Sequence, residues 1–98
     1  MAKVYIAEFS AVYLQGQALP YPRVPPIAEQ TVAIGATSVQ SSAFNAATKL
    51  VQIETDAICS LAFGANPTAT ANNMRLAAND VRSFCVNAGD KVAVITNS

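Results

Sequence analysis

Histidine is absent from this sequence, and cysteine and glycine are scarce. Without histidine the chain lacks the commonest general base and the most frequent transition-metal ligand. This absence excludes histidine-based catalytic triads and histidine-containing zinc sites. Two cysteines cannot supply a four-thiolate zinc site, and four scattered glycines form no phosphate-binding loop. We therefore predict no catalytic residue, no cofactor and no metal ion, and interpret the protein as non-enzymatic.

Charge is also scarce. Charged residues make up 12% of the chain, about half the usual share. Six basic and six acidic residues leave a formal net charge of zero. The long-range field that gathers nucleic acid is therefore missing, and we expect no nucleic-acid partner. A hydrophobic content of 52% beside so little charge indicates a surface that another protein covers.

Long apolar runs are missing as well. No run approaches the ~20 residues needed to cross a bilayer, so we expect no membrane partner. Residues 1–5 lack the features of a signal peptide, which predicts a product kept in the cytosol or in a particle assembled there. Cys59 and Cys85 both lie in apolar strand patterns. We expect them to be reduced, packed thiols rather than a disulfide.

What the chain does contain is a series of short segments with strand character, bounded by turn residues. These segments are 3–9, 29–34, part of 37–47, 48–56, 59–63, 73–77, 80–86 and 91–96. The rest of 37–47 is expected to be a loop with Phe44 turned inward. They predict one all-β domain over 1–98, an antiparallel β-sandwich of seven or eight short strands, either jelly-roll-like or immunoglobulin-like. The rival interpretation is an α+β fold with a helix over 69–78. Asn72 and Asn73 are poor residues for a helix interior, which favours the sandwich.

The stretch 59–70 has the densest apolar face of the chain. Its first five residues alternate, with Cys59, Leu61 and Phe63 on one face and the small Ser60 and Ala62 on the other. Gly64 and a downstream proline end the strand. We expect a rigid, uncharged loop at one end of the sandwich, where a neighbouring subunit rests. The candidate contact residues of this loop are Asn66, Pro67 and Thr68.

Four of the five prolines fall between residues 15 and 26. This composition predicts an extended, polyproline-like arm over about 15–27. One interpretation is a plain surface loop, and the other is an arm laid on a neighbouring subunit. The candidate contact residues of the arm are Leu19, Tyr21, Arg23 and Val24.

Several smaller patterns have plain structural interpretations. In the segment 48–56, Val51, Ile53 and Thr55 alternate with Gln52, Glu54 and Asp56, which predicts a half-exposed strand. Glu54 and Asp56 thus share one face, and a solvated polar face explains them better than a cation site. Arg75 and Arg82 share a sheet face if their strands are neighbours, but pairing with Asp80 or Glu54 is the better explanation. Residues 87–90 have the composition of a β-hairpin turn. Tyrosines 5, 13 and 21 can contribute to a contact surface, which leaves carbohydrate binding as a minor alternative.

Four segments carry a family resemblance: AEQTVAIG at 28–35, SSAFNAAT at 41–48, FGANPTAT at 63–70 and VNAGDKVAVI at 86–95. Together they resemble small β-sandwich virion proteins of tailed bacteriophages and prophages. The resemblance covers most of the chain from residue 28 onward, and its motifs are structural rather than catalytic. It implies a capsid decoration (cement) protein or a component of the neck or tail.

The expected function is therefore that of a structural protein of the virion. The resemblance implies binding to the major capsid protein or to other virion subunits, and assembly as a homo-oligomer. The alternatives are a neck or tail component, or a free carbohydrate- or ligand-binding module.

Overall fold

A computed structural model of the protein describes residues 2–10, 12–15, 19–22 and 24–98, with the backbone alone for 12–15 and 19–22. These residues contain no helix that could span a membrane. They form ten β-strands: β1 (Lys3–Phe9), β2 (Val12–Gln15), β3 (Leu19–Pro22), β4 (Ala28–Ala33), β5 (Val39–Gln40), β6 (Leu50–Thr55), β7 (Cys59–Gly64), β8 (Met74–Leu76), β9 (Val81–Cys85) and β10 (Lys91–Thr96).

Eight of the strands form two antiparallel sheets of four. The first sheet has the order β4-β1-β6-β9, and the second has the order β5-β10-β7-β8. The predicted all-β sandwich of seven or eight strands is confirmed. The rival helix over 69–78 is wrong, because this stretch contains a turn followed by β8.

The core lies between the two sheets and is built by strand alternation. In β6, Val51, Ile53 and Thr55 are buried, whereas Gln52 and Glu54 lie on the outer surface, as their alternation predicted. Each fully buried aliphatic side chain stabilises the fold by about 1.5–3 kcal/mol. The core cluster consists of Val4, Ile6, Val32, Ile34, Phe44, Val51, Ile53, Cys59, Leu61, Leu76, Val92 and Val94.

The path of the chain distinguishes between the two expected sandwich types. From β4 to β10 the chain changes sheet at every connection except β7 to β8, which pair within one sheet. Such alternation is the pattern of a jelly roll, whereas an immunoglobulin sandwich keeps more consecutive strands in one sheet. β1 fills the remaining position, antiparallel to both β4 and β6.

One local prediction is wrong, and one alternative that the sequence left open is resolved. Residues 87–90 form a turn but do not close the predicted hairpin. In this turn Asp90 N donates to Asn87 O at 3.2 Å, and Gly89 has a φ of 82°. However, β9 and β10, on either side of it, belong to different sheets. Arg75 and Arg82 lie in different sheets too, so they do not share a face. Arg82 instead pairs with Asp80 at 3.3 Å, as the sequence favoured.

The segment 37–47 follows the prediction of a short strand and a loop. Val39 and Gln40 pair with β10, and Phe44 is buried in the core. Its backbone N–H donates to Asp90 O at 2.8 Å, and its carbonyl accepts from Gly89 N at 3.2 Å. The loop therefore closes one end of the sandwich.

Part of the predicted arm forms a β-ribbon. β2 and β3 pair antiparallel, with Val12 opposite Pro22 and Gln15 opposite Leu19. Proline is compatible with such a ribbon because each strand has an open edge toward which its nitrogen can point. Residues 16–18 and 23 lie outside the described residues.

The two ends of the described chain meet. Ile34 N donates to Ala2 O at 3.0 Å, and Thr96 N donates to Gly35 O at 2.9 Å. The start of β1 and the end of β10 therefore flank the same two residues, at one end of the sandwich.

Candidate functional site

The outer side of the first sheet is open around Tyr5 and Ala7, and this part forms the candidate site. Farther along the same side, Phe9 and Leu50 are buried. Strand register places Tyr5 directly between Thr31 on β4 and Glu54 on β6, and Glu54 in turn lies opposite Val81. Directly opposite residues on one face lie within about 5.5 Å at Cβ, so these side chains form one row. The next row contains Glu29, Ala7, Gln52 and Ser83. We call the part of these two rows that lines one depression (Tyr5, Ala7, Glu29, Thr31, Gln52, Glu54 and Val81) the open face.

The open face is concave. Its residues, with parts of Ile6 and Gln30, line a depression of about 600 Å³. Tyr5 and Val81 are 43% and 49% exposed there. An aromatic ring beside amide, hydroxyl and carboxylate groups can stack on a ligand and accept its hydrogen bonds. The depression can therefore hold a polar partner.

Metal chemistry gains no support at this surface. Within the described residues, no group of three or more histidine, cysteine or acidic side chains could hold an ion. Glu54 and Asp56 are both exposed, and Asp56 Oδ2 accepts from Lys3 N at 3.2 Å. These two carboxylates therefore form the solvated face that the sequence favoured.

The outer side of the second sheet is covered. The loop between β7 and β8, residues 65–73, crosses this sheet, and we call it the covering loop. Gln40 Nε2 donates to Asn66 Oδ1 and to Pro67 O, both at 2.8 Å. Because Gln40 lies on β5 while the loop joins β7 to β8, the chain must pass over β10. Ala93 at the centre of β10 is accordingly fully buried, although it points away from the core.

Further hydrogen bonds fix the covering loop along its length. Ala69 N donates to Ser38 Oγ at 2.9 Å, and Ala69 is buried. Asn97 Nδ2 donates to Ser60 Oγ at 2.7 Å and to Ala71 O at 3.1 Å. The loop is thus a second structural layer on this sheet.

The loop residues predicted as contacts divide into two groups. Pro67 is buried, whereas Asn66 and Thr68 are exposed. The stretch lies along the outer side of the second sheet, and its position at one end of the sandwich was wrongly predicted. The loop lies on this side of the sheet because the small side chains of Ser60 and Ala93 let it approach closely.

The arm residues lie elsewhere. Leu19 and Tyr21 belong to β3, where the backbone is described. Arg23 lies outside the described residues. Val24 is 72% exposed and precedes a cis Val24–Pro25 peptide bond. The structure does not bring Val24 together with the covering loop by any hydrogen bond among the described residues.

Glu8 is a buried carboxylate that the sequence did not predict as a functional residue. Its Oε1 accepts from Asn45 N and Thr48 Oγ1, both at 2.8 Å, and its Oε2 accepts from Gln30 Nε2 at 3.2 Å. Each oxygen has a partner, as a buried polar group requires. The residue ties β1 to the loop that enters β6. Its strand position, two residues after the buried Ile6, was the available signal.

The two cysteines have different environments. Both are free, and Cys59 is buried in the core, where burial raises the pKa of its thiol. Cys85 is exposed, so the prediction that it is packed was wrong. It points to the outer side of β9, beside a notch of about 210 Å³ next to the aromatic pair Phe63 and Phe84. The centroids of these two rings are 5.1 Å apart.

Comparisons of the chain with family models, with curated proteins and with solved structures find no match. The function is therefore inferred from the geometry of the molecule together with its sequence.

Proposed function

We propose that the protein is a non-enzymatic structural subunit of a bacteriophage virion, a capsid decoration protein that binds adjacent capsid subunits. One observation carries the proposal. A large, exposed apolar side chain lies on or beside each of the four edge strands of the sandwich: Ile27 before β4, Val39 on β5, Met74 on β8 and Val81 on β9.

These four side chains do not form one contiguous patch, so each edge offers a neighbouring subunit its own small apolar contact beside the unpaired backbone groups of the edge strand. A cement protein needs this arrangement, because it must contact more than one capsid subunit at a time. The low charge of the chain supports the same interpretation, since interface cores are depleted of charged residues. We assign the protein to a virion because its four sequence segments resemble small β-sandwich virion proteins of tailed bacteriophages.

The ribbon of β2 and β3 is proposed as the reaching element. It is inserted between β1 and β4, which are already neighbours in the sheet, with Glu8 opposite Ala28. The sandwich therefore does not need the ribbon to connect these strands. Extended segments of this kind can add to the surface of a neighbouring subunit.

The test is quantitative mass spectrometry of purified particles of the phage that encodes the chain. A decoration protein will be present in a fixed ratio to the major capsid protein and will remain after a high-salt wash. A neck or tail component, the nearest alternative, will be present in few copies per particle. Absence from the particles would overturn the proposal.

The ribbon is tested by replacing residues 10–26 with a two-residue Asn-Gly turn, which continues the register of Glu8 opposite Ala28. We expect the shortened chain to fold, by circular dichroism and thermal unfolding, but to lose binding to particles that lack the protein. Full binding by a folded, shortened chain would exclude the ribbon from the interface.

A second candidate function rests on the open face. Tyr5 with Thr31, Gln52 and Glu54 in a concave surface is suited to a saccharide, which stacks on an aromatic ring and donates hydroxyl hydrogen bonds. Titration with oligosaccharides, monitored by Tyr5-dependent chemical shifts, tests this function. Saturable binding that Tyr5→Ala abolishes would favour a free carbohydrate-binding module over a virion subunit.

A further inference from the structure

We propose that β9 is a dimerisation edge that pairs antiparallel with β9 of a second copy of this chain. The proposal does not depend on the virion assignment, because it concerns the isolated protein. It joins the two first sheets into one sheet of eight strands, with the two-fold axis passing through Ser83.

Among the four edge strands of the described sandwich, β9 is the longest one left open. β5 and β8 have two and three residues. β4 has six, but the chain leading from β5 runs beside it, with Ser42 N donating to Gln30 Oε1 at 2.9 Å and Gln30 Nε2 donating to Ser42 O at 3.3 Å. β9 has five residues and contains no proline or glycine, and its one charged residue, Arg82, is paired with Asp80 at 3.3 Å.

The backbone groups of β9 that are free to pair follow from its register with β6. Thr55 N donates to Asp80 O and Val86 N donates to Lys49 O, both at 3.0 Å. In an antiparallel pair only alternate residues bond to the same neighbour. The even-numbered residues of β9 therefore bond to β6, and the N–H and C=O groups of Val81, Ser83 and Cys85 point away from the sheet.

A two-fold axis at Ser83 pairs these three residues with each other. Ser83 lies opposite its own copy, and Val81 lies opposite Cys85 of the other subunit. Four backbone hydrogen bonds form directly. Two more, from Val81 N, replace its present bond to Asp80 Oδ1 at 3.0 Å.

Side chains favour this register over its neighbours. It places Arg82 opposite Phe84 of the other copy, a pairing of a cation with an aromatic side chain that is favourable across strands. The register shifted by two toward Arg82 would place the two arginines opposite each other, and like charges opposite each other are destabilising. The register shifted by two the other way leaves Val81 without a partner on β9. The ion pair of Arg82 with Asp80, at 3.3 Å, also neutralises the one positive charge on this strand.

The first test is sedimentation over a range of protein concentrations for the wild type, Ser83→Pro and Thr31→Pro. Proline at either position removes an N–H that points away from the sheet, Ser83 on β9 and Thr31 on β4. We expect a wild-type dimer, an unchanged dimer for Thr31→Pro, and a dissociation constant raised roughly tenfold or more for Ser83→Pro, because two central hydrogen bonds are lost. A monomeric wild type, or equal weakening by both prolines, would overturn the proposal.

The second test reads the register itself. Val81→Cys places a thiol opposite Cys85 of the other copy, at a Cα separation of about 5.5 Å, which a disulfide can span. Within one chain the two positions are about 13 Å apart and cannot be bridged. We expect a covalent dimer of Val81→Cys under mild oxidation, and none of Val81→Cys with Cys85→Ser. A monomer from the first variant, or a covalent dimer from the second, would contradict this register.

Discussion

The outer sides of the two sheets are built from the same kind of alternating strand, but a large part of one is exposed and the other is covered. On the first sheet, Tyr5, Gln52 and Glu54 face solvent around a concave depression. On the second sheet, Ser60 and Ala93 are fully buried beneath the covering loop. The difference is side-chain size, since small residues let a loop pack directly against a sheet, whereas large polar residues keep the surface open. The second sheet is therefore stabilised on both sides, and the first remains available for contact.

The largest expected effect comes from enlarging a residue beneath the covering loop. Ala93→Leu adds volume where no space is open, and we expect it to lower the free energy of unfolding by about 1–3 kcal/mol. The matched control is Ala7→Leu, which adds the same atoms on the open face and should be close to neutral. Urea unfolding measures both. Equal destabilisation by the two variants would remove the distinction between the faces.

A smaller effect is expected from releasing the loop at its far end. Gln40→Ala removes the two hydrogen bonds to Asn66 and Pro67, at a cost of about 1–2 kcal/mol. Hydrogen exchange should then quicken in residues 65–73 and stay unchanged in β1 and β6. The control is Gln52→Ala on the open face. Unchanged exchange in the loop of Gln40→Ala would show that packing alone holds it.

The two cysteines also differ in burial, and for the buried Cys59 this predicts that its contribution to stability depends on pH. Burial raises the pKa of the Cys59 thiol, so the folded state favours the neutral form. Its contribution to stability is complete below the unfolded pKa of about 8.5 and declines as pH rises above it. In a Cys85→Ser background, the difference in unfolding free energy from Cys59→Ala should fall above pH 8.5, by at most about 1.4 kcal/mol per pH unit. A difference independent of pH up to 10 would contradict this expectation.

The reaction of the two thiols with a thiol-specific reagent tests the same difference in burial. Cys85 is exposed and Cys59 is buried. One thiol should react under native conditions and a second only in denaturant. Cys85→Ser should abolish the native reaction.

The smallest expected effect is on the open face itself. Glu54→Gln removes a charge from an exposed position and should change the unfolding free energy by less than about 0.5 kcal/mol. Thermal unfolding at low salt measures it. A larger loss would mean that Glu54 supports the fold rather than a contact surface.

The sequence predicted the elements of this fold better than their assembly. Alternation of Val51, Ile53 and Thr55 against Gln52 and Glu54 was sufficient to place β6 and its buried side, because the period of two is local. Residues 87–90 were correctly identified as a turn. They do not reveal that Lys91 begins a strand in the other sheet, because the choice of sheet depends on contacts distant in sequence.

The candidate site was less predictable for the same reason. Tyr5, Thr31 and Glu54 are far apart in the sequence and become neighbours through the order β4-β1-β6. The small size of Ser60 and Ala62 was visible, but not that a loop would lie over them. Pairing of β3 was hidden by Pro20 and Pro22, since strand patterns are weak where prolines interrupt them.

The two ends of the described chain lie on either side of Ile34 and Gly35, so the path of the chain is nearly circular. A short peptide joining Ser98 to Ala2 would let β10 run on into β1, in which case the chain would alternate between sheets at that junction too. Such a ring could be reopened at the turn 87–90 to give a permuted protein with the same sandwich. A protein fused at residue 2 or at residue 98 would therefore lie at this end of the sandwich. The opposite end of β1, near which the ribbon begins, is about 20 Å away.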